Sequence, residues 1–208
     1  MRIKHMKKTL PAAALALFCT WAWAGGKKHP AVEFSADVEE ISEKMPENNY
    51  KGHLYVTPDW LRDEGESNGV PEITIYHFSD ARLWSLKPEQ KKYLETHPVT
   101  FPHPLDEATG EPCKNNPEAN CVFLGEEKHE GREARKWRVV AKEAGQEVVS
   151  TQWYDKKLKI LVRDERDDGS RFVLHHLKEG KLLPALFELP AGYEKAEVEI
   201  PQKMLDAR

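Results

Sequence analysis

The chain is built from short stretches in which apolar side chains recur at every second position, with turn-forming residues between them. In the first stretch Phe34, Ala36 and Val38 alternate with polar residues. Later stretches are separated by pairs such as Glu130-Gly131 and Asp168-Gly169. A period of two is typical of half-buried strands, and connections this short are typical of hairpins. The sequence therefore predicts a mainly β protein in which about ten strands form an antiparallel meander.

Ten stretches carry this pattern, and they read VEFSADVEEI, YKGHLYVT, VPEITIYHF, ARLWSL, KKYLET, CVFLGEEKH, EARKWRVVAK, QEVVSTQWYD, LKILVRDE and SRFVLHHLK. The predicted helical pieces are short, at residues 88–92 and 181–186. An open sheet with this many strands curls or is covered. We therefore expect a single curved antiparallel sheet, a half-barrel, with short covering helices or loops. The proline-rich stretch 97–120 divides the chain into two halves that share this sheet.

Some of the predicted strands are apolar on both faces. Trp137, Val139 and Ala141 face one way, whereas Val140 between them faces the other. A curved sheet that surrounds an apolar body shows this pattern. That body is either the chain's own covering segments or a bound lipid-like ligand.

The first 24 residues have the composition of an export signal. Residues 1–8 carry four basic side chains and no acidic one, LPAAALALF follows, and Ala22-Trp23-Ala24 ends the segment. This order is typical of a secretory signal peptide, and the apolar run is too short for a mature membrane span. We expect cleavage after Ala24, a periplasmic location, and a single domain over residues 25–208. Cys19 follows Phe18 rather than a small residue, so no lipid anchor is expected.

The charge balance argues against a nucleic-acid partner. Lysine and arginine number 31 against 35 acidic residues, and removal of residues 1–24 lowers the formal net charge from -4 to -8. An acidic protein is poorly suited to the phosphate contacts that dominate nucleic-acid affinity. The sequence also has no basic cluster with interleaved aromatic residues. With 32% charged and 39% hydrophobic residues, it does not resemble a protein that spans a membrane several times.

Two cysteines remain after export, Cys113 and Cys121, and they bracket the polar loop CKNNPEANC. In an oxidising compartment such a pair most simply forms a disulfide. A metal pair or a redox dithiol is the alternative. The spacing is not that of a C-x-x-C motif, and no histidine or third cysteine lies beside the pair.

Four longer elements carry a resemblance to a known family. They read GHLYVTPDWLRDE at 52–64, IYHFSDARLWSLKPEQKKYLE at 75–95, WYDKKLKILVRDE at 153–165 and LFELPAGY at 186–193. In this order, after an export signal, they resemble the periplasmic lipoprotein-carrier (Lol-type) superfamily and its outer-membrane lipoprotein-sorting relatives. The resemblance covers nearly the whole mature chain.

The resemblance implies an open, strongly curved half-barrel with a hydrophobic concave face and a lid. It implies binding of acyl chains or of a lipidated partner, with no catalytic residues and no cofactor. Arg62 is the residue that best matches an arginine that holds the lid in the carriers. The chain departs from the carriers because it has no clear helix before the first strand.

Eight histidines remain after export, and they raise the alternative of a copper or zinc site. His97 and His103, in HPVTFPH, are the candidate metal ligands. His175 and His176 are adjacent on a predicted strand, so we expect them to point to opposite faces. Ordinary surface and hydrogen-bonding roles are the competing interpretation, since the chain has no HExxH motif and no Cys/His cluster.

No G-x-S-x-G motif and no glycine-rich phosphate loop is present, so the sequence gives no reason to expect an enzyme. Four tryptophans in predicted strands are the candidate ligand-binding residues, together with Arg62. They are Trp60, Trp84, Trp137 and Trp153. Each tryptophan can also be ordinary core. The leading hypothesis is a soluble periplasmic binding protein with a hydrophobic cleft for acyl chains, a lipidated protein or an envelope partner. The alternatives are a metal-binding protein and an envelope assembly chaperone.

Overall fold

The computed structural model describes residues 32–67, 69–97, 103–105, 108–143 and 145–197. The predicted signal peptide lies outside these residues. Within them the strands are β1 Phe34–Ile41, β2 Tyr50–Val56, β3 Trp60–Ser67, β4 Val70–His77, β5 Arg82–Lys87, β6 Lys92–Thr96, β7 Asn120–His129, β8 Arg132–Glu143, β9 Gln146–Asp155, β10 Leu161–Arg166, β11 Arg171–Glu179 and β12 Glu194–Lys195. The helical turns are α1 at Pro112–Asn115 and 3-10 turns at Pro46–Asn48, Pro88–Gln90 and Pro184–Phe187.

All of these strands belong to one curved, unclosed sheet with the order β12-β6-β5-β4-β3-β2-β1-β11-β10-β9-β8-β7. The sheet is two antiparallel meanders side by side, β1 to β6 and β7 to β11. They meet where β1 pairs with β11, with Phe34 opposite Glu179. The chain passes from β6 near one edge to β7 at the other edge through residues 97–119. At the first edge β12 adds a short parallel pairing to β6.

Tight turns join the strands within each meander. Between β7 and β8 the two turn residues, Glu130 and Gly131, have φ of 47° and 81°. Two successive left-handed residues form the hairpin turn whose twist matches that of the paired strands. The sequence Glu130-Gly131 therefore fixes the hairpin locally, because glycine adopts this backbone conformation without steric cost.

The main core lies on one face of the sheet and extends across both meanders. Phe34, Ala36 and Val38 of β1 are buried at alternate positions, as their spacing predicts. The cluster is completed by Val56, Leu105, Ala134, Trp153, Leu158, Ile160, Val162 and Leu174. Leu105 belongs to the connection between the meanders, so this connection covers part of the main core. Burial of such side chains stabilises a fold by about 1.5–3 kcal/mol each.

A second apolar cluster, here called the aromatic cluster, lies on the opposite face. Val56 belongs to the main core, and its neighbour Tyr55 on β2 packs against the aromatic cluster. Successive residues of a strand point to opposite faces. Strand β2 and the start of β3 therefore carry apolar side chains on both faces, and each face needs its own cover.

Two glycines make room for a half-buried tyrosine between β2 and β3. Gly52 and Gly65 lie opposite each other, and a Cβ atom on either would collide with the ring of Tyr50. The Tyr50 hydroxyl donates to Asp63 Oδ1 at 2.6 Å. Desolvation raises the pKa of Asp63. The pKa of Glu40 is also raised, by desolvation and, to a smaller extent, by the nearby charge of Asp63.

The predicted fold class is confirmed, and each of the ten predicted stretches contains a strand. Two strands are absent from the periodic pattern: β3, whose sequence WLRDEGES is mostly polar, and the two-residue β12. The predicted helical pieces are 3-10 turns, at Pro88–Gln90 and Pro184–Phe187. Among the described residues, no helix has the length and apolarity needed to cross a membrane.

Candidate functional site

The aromatic cluster is built by direct pairing across β3, β4 and β5. Arg62 lies opposite Ile75, and Ile75 lies opposite Trp84. Directly opposed residues share a face and have Cβ atoms about 5 Å apart. Trp60, two positions before Arg62 on β3, points to the same face. Strand pairing thus brings together three of the five residues that the sequence singled out for ligand binding.

A single segment of the chain, residues 181–193, covers this face, and we call it the closing segment. Its apolar side chains pack against Ile75 and Leu86; they are Leu182, Leu186, Phe187, Leu189 and Tyr193. Phe187 is 4% exposed, and its ring centroid lies 6.1 Å from that of Trp60. The closing segment contains only one short 3-10 turn, so its position depends on contacts with the sheet rather than on internal hydrogen bonds.

Arg62 provides one of those contacts. It is 8% exposed, and its Nη1 donates to the carbonyl oxygen of Leu186 at 2.8 Å. Its Nε donates to Glu64 Oε1 at 2.5 Å. The ion pair with Glu64 thus orients the guanidinium toward the closing segment. A hydrogen bond from Arg62 to a lid-like segment is the contact that the family resemblance implies.

Further contacts lie at the two ends of the closing segment. At its start, the backbone N–H of Leu182 donates to Glu33 Oε2 at 2.6 Å. After its end, Lys195 pairs with Glu95 at 2.7 Å, and the Trp84 indole Nε1 donates to the same carboxylate at 2.9 Å. Hydrogen bonds from Lys195 and Trp84 lower the pKa of Glu95. The closing segment is therefore held at both ends and at Leu186.

Trp60 and Trp84 also contact polar neighbours. The Trp60 ring stacks on His77, with centroids 3.7 Å apart and planes 17° apart. The Arg82 guanidinium lies 4.7 Å from the centroid of Trp84. Each tryptophan therefore has one apolar side, toward the closing segment, and one polar side.

Trp137 and Trp153 do not lie in the aromatic cluster. Trp153 is 3% exposed in the main core, where Lys136 and Arg163 lie 4.7 and 4.6 Å from its ring. Lys136 is directly opposite Trp153, so Trp137, the next residue on β8, points away from the main core. Strand β8 belongs to the other meander and is far from β3 to β6 in the sheet. The structure therefore does not bring the four tryptophans into one cleft.

His103, one of the two candidate metal ligands, has both ring nitrogens occupied. Its Nδ1 accepts from the backbone N–H of Leu105 at 2.9 Å, so Nε2 carries the proton and donates to the carbonyl of Thr57 at 2.9 Å. The side chain is 2% exposed. His103 thus anchors the connection between the meanders, whereas His97 is exposed at its start. Among the described residues, no three His, Cys, Asp or Glu side chains are grouped to hold a metal ion.

His175 and His176 depart from the geometry expected for a regular strand. His176 has φ of 52°, next to the point where the register between β1 and β11 shifts. The bulge interrupts the alternation of faces, and the two rings are 6.2 Å apart. His175 pairs with Glu130 and His176 with Asp37, so each ring has its own carboxylate. Hydrogen bonds from His176 and His53 lower the pKa of Asp37.

The sequence did not identify the residues of the closing segment that face the aromatic cluster. LFELPAGY entered the resemblance without a role, and residues 181–186 were predicted as a helix. One signal was available in the sequence after the last long strand. Leu182, Leu186 and Leu189 lie there, their spacing is not the alternation of a strand, and the segment is too short for a stable helix. Apolar residues of this kind must pack on a surface that the rest of the chain provides.

No protein-family model matches the chain, and no curated protein sequence matches it either. Solved structures do match its fold. An uncharacterized conserved protein from Thermus thermophilus has a TM-score of 0.53 at 14% identity, over 80% of this chain and 90% of that chain. MucB has a TM-score of 0.53 at 12% identity, over 79% of this chain and 59% of MucB.

A structure of MucB in complex with MucA(peri) has a TM-score of 0.52 at 11% identity, over 80% of this chain and 57% of that chain. This chain therefore spans less than two thirds of MucB. A LolA superfamily protein from Nitrosomonas europaea is also among the matching structures, with a TM-score of 0.35 at 10% identity, over 77% of this chain and 92% of that chain. At these identities the likenesses describe the fold alone.

Proposed function

We propose that this protein is an exported, periplasmic, non-enzymatic binding protein, and that the face beneath the closing segment is its ligand site. Opening of the segment exposes Trp60, Trp84 and the aliphatic side chains beside them. The ligand is an acyl chain, free or attached to a protein. Its chain replaces Leu186 and Phe187 on the sheet, beside Arg62, which then gives up its bond to Leu186.

One observation carries this proposal: a large apolar face of the sheet is covered by one irregular segment rather than by a strand or a long helix. The segment has few hydrogen bonds of its own, so its removal breaks contacts to the sheet without unfolding a regular element. Transfer of apolar area out of water is worth about 25 cal/mol per Å² for the segment and for a ligand alike. The two therefore compete for the same face on similar terms.

The comparisons support a binding role of this kind. A protein of the same fold, MucB, has been solved in complex with MucA(peri). This supports an envelope protein as the alternative occupant, and a chaperone-like role would then be the better description. The occupied ring nitrogens of His103 remove one of the two ligands on which the metal-binding alternative depended.

A fluorescent fatty-acid analogue tests the proposal. Titrated into the protein of residues 25–208, it should bind and quench tryptophan emission, and Trp60→Ala or Trp84→Ala should weaken binding. Arg62→Gln should strengthen it several-fold, because loss of the bond to Leu186 raises the population of the open form that can bind. Aromatic and arginine changes thus act in opposite directions.

Two control variants match these changes. Trp137→Phe alters a tryptophan of β8, in the other meander, and Arg171→Gln alters a half-exposed arginine of β11, paired with Glu39 at 3.3 Å. Neither should change probe affinity. Failure of the probe to bind both the wild type and Arg62→Gln would reject an acyl ligand and leave the protein partner as the remaining occupant.

Export is a separate part of the proposal. The basic start, the short apolar run and the Ala22-Trp23-Ala24 exit support cleavage after Ala24. N-terminal sequencing of protein recovered from the cell envelope should begin at Gly25. A chain that keeps Met1, or one that carries a lipid on Cys19, would contradict this processing.

A further inference from the structure

The turn between β7 and β8 reaches across the curved sheet and contacts β11, although β9 and β10 lie between these strands in the sheet order. Nε2 of His129 donates to the carbonyl oxygen of Leu174 at 2.8 Å, and Glu130 Oε2 accepts from the backbone N–H of His176 at 2.6 Å. In the described sheet, β10 pairs with β11 only as far as Val173. Beyond that point, side chains of the turn bond to the backbone of β11 and close this end of the main core.

A cavity of about 270 Å³ lies beneath this turn. Its apolar walls are side chains that belong to the main core or pack against it, namely Ala134, Val162, Leu174 and Leu177. An apolar cavity of roughly 150 Å³ holds benzene, and pockets for drug-sized ligands begin near about 300 Å³. The space therefore fits a small molecule of about ten non-hydrogen atoms rather than a long acyl chain.

Three polar side chains that line the cavity have hydrogen-bonding groups without a partner among the described residues. Arg132 uses Nε and Nη2 for two carboxylates, which leaves Nη1 as a donor. His129 donates through Nε2 to a carbonyl, and His176 donates through Nδ1 to a carboxylate. The second nitrogen of each neutral ring is then an acceptor. A ligand head that both accepts and donates a hydrogen bond satisfies these groups.

The charges around the cavity disfavour an anionic head. Two cations are balanced by two carboxylates, and these four residues are Arg132, Lys157, Asp155 and Glu179. Glu130 and Asp37 add two more carboxylates, which pair with histidines. With these histidines neutral, the surroundings of the cavity carry a net negative charge and repel a further anion. A hydroxyl or an amide supplies a donor and an acceptor without a charge.

We propose that this cavity is a second ligand site, for a small uncharged amphiphile. The ligand has an apolar body about the size of an alkyl-substituted benzene ring and a hydroxyl or primary amide as its head. The body contacts Ala134 and Val162, and the head lies between Arg132 Nη1 and the imidazole acceptors. The site is on the main-core face of the second meander, whereas the aromatic cluster is on the opposite face of the first. Either site can therefore fail without the other.

NMR of the methyl-labelled protein, residues 25–208, tests the site with para-propylphenol as the probe at pH 8. Methyl resonances of Ala134, Val162 and Leu174 should shift on titration, whereas those of Ile75 and Leu86 in the aromatic cluster should not. Para-propylbenzoate has the same body with an anionic head, and it should bind roughly tenfold more weakly or less. The proposal is overturned if the cavity methyls do not shift, or if the benzoate binds as tightly as the phenol.

A pair of matched variants on β8 locates the probe independently. Ala134→Leu adds a side chain to the cavity wall and should weaken binding of para-propylphenol roughly tenfold or more, because it occupies the space of the ring. Ala141→Leu makes the same change on the opposite face of the strand and should leave the affinity unchanged. Equal affinities of the wild type and Ala134→Leu would show that the probe binds elsewhere. The shifts of the wild-type methyls decide the matter if Ala134→Leu does not fold.

Discussion

Asp155 organises the turn between β9 and β10 from a position that is 2% exposed. It accepts from Arg132 Nε at 2.7 Å and Nη2 at 3.1 Å. It also accepts from the backbone N–H groups of Lys157 and Leu158, at 3.0 and 2.6 Å. Burial alone would raise its pKa, but the bonds from Arg132 and from the turn lower it. One carboxylate thus joins β8, β9 and the turn before β10.

We expect Asp155→Asn to reduce the free energy of unfolding by about 2–4 kcal/mol, because Arg132 keeps only Glu179 of its two carboxylate partners and the buried site loses its charge-assisted hydrogen bonds. Urea denaturation at neutral pH measures the change. Asp167→Asn is the matched control: Asp167 lies 3.9 Å from Arg138, and both side chains are exposed. That change should cost no more than about 0.5 kcal/mol. Equal effects of the two variants would contradict the assigned role of Asp155.

Single residues show how far sequence reasoning reaches. Arg62 was identified through its place in a motif, and it does bond to the segment that covers the aromatic cluster. Asp155 lies in a motif of the same resemblance but received no role, since its importance comes from Arg132, 23 residues earlier. Pairings between distant residues depend on strand register, which the pattern of one strand does not contain.

Among the elements, the link between α1 and β7 gives a direct test. Cys113 and Cys121 form the predicted disulfide, with Cα atoms 5.9 Å apart and a sequence separation of 8. Replacing both cysteines by serine should lower the free energy of unfolding by about 2.5 kcal/mol, the loop-closure value for a loop of this length. The measurement is urea denaturation with and without reductant.

Reductant should destabilise the wild type by a similar amount and leave the double variant unchanged. Thiol titration of the denatured protein, purified without reductant, should find no free cysteine in residues 25–208. Two free thiols would show that the bridge does not form in the cell.

Strand β3 shows why some elements escape a pattern-based prediction. Its sequence WLRDEGES has apolar side chains only at Trp60 and Leu61. The rest is polar because Arg62 bonds to the closing segment, Asp63 to Tyr50, and Gly65 gives space to the Tyr50 ring. Each of these residues is matched by a partner from another element. Strand β1 faces ordinary core instead, and its alternation was readable.

For the molecule as a whole, two groups of carboxylates give opposite dependences on pH. In the first group the folded state lowers the carboxylate pKa below the ordinary values of 3.8 for aspartate and 4.5 for glutamate. These groups stabilise the fold above those values, and the stabilisation is lost as the pH falls. The group includes Asp37, Glu39, Glu127, Asp155 and Glu179. Glu40 and Asp63 have raised pKa values, so they favour the folded state at low pH and lose that contribution as the pH rises.

Because the first group is larger, the urea midpoint of the wild type should fall as the pH drops below about 4. Glu40→Gln should raise the midpoint slightly at pH 7, because partial desolvation and the neighbouring carboxylate of Asp63 oppose ionisation of Glu40, although its side chain is exposed. The two proteins should converge below 4.5, the ordinary pKa of a glutamate, where Glu40 is protonated. A constant difference between them at all pH values would mean that Glu40 ionisation does not affect stability.

The pairing of β1 with β11 has a consequence for the order in which the protein assembles. Every other antiparallel pair of the described sheet joins strands that are consecutive in the chain. Hairpins of neighbouring strands close rapidly, whereas contacts between distant parts of a chain form slowly. Each meander can therefore form its strand pairs independently, and the pairing of Phe34 with Glu179 forms late in folding. The N-terminal meander therefore keeps β1 as an open edge until residues 171–179 are free to pair with it.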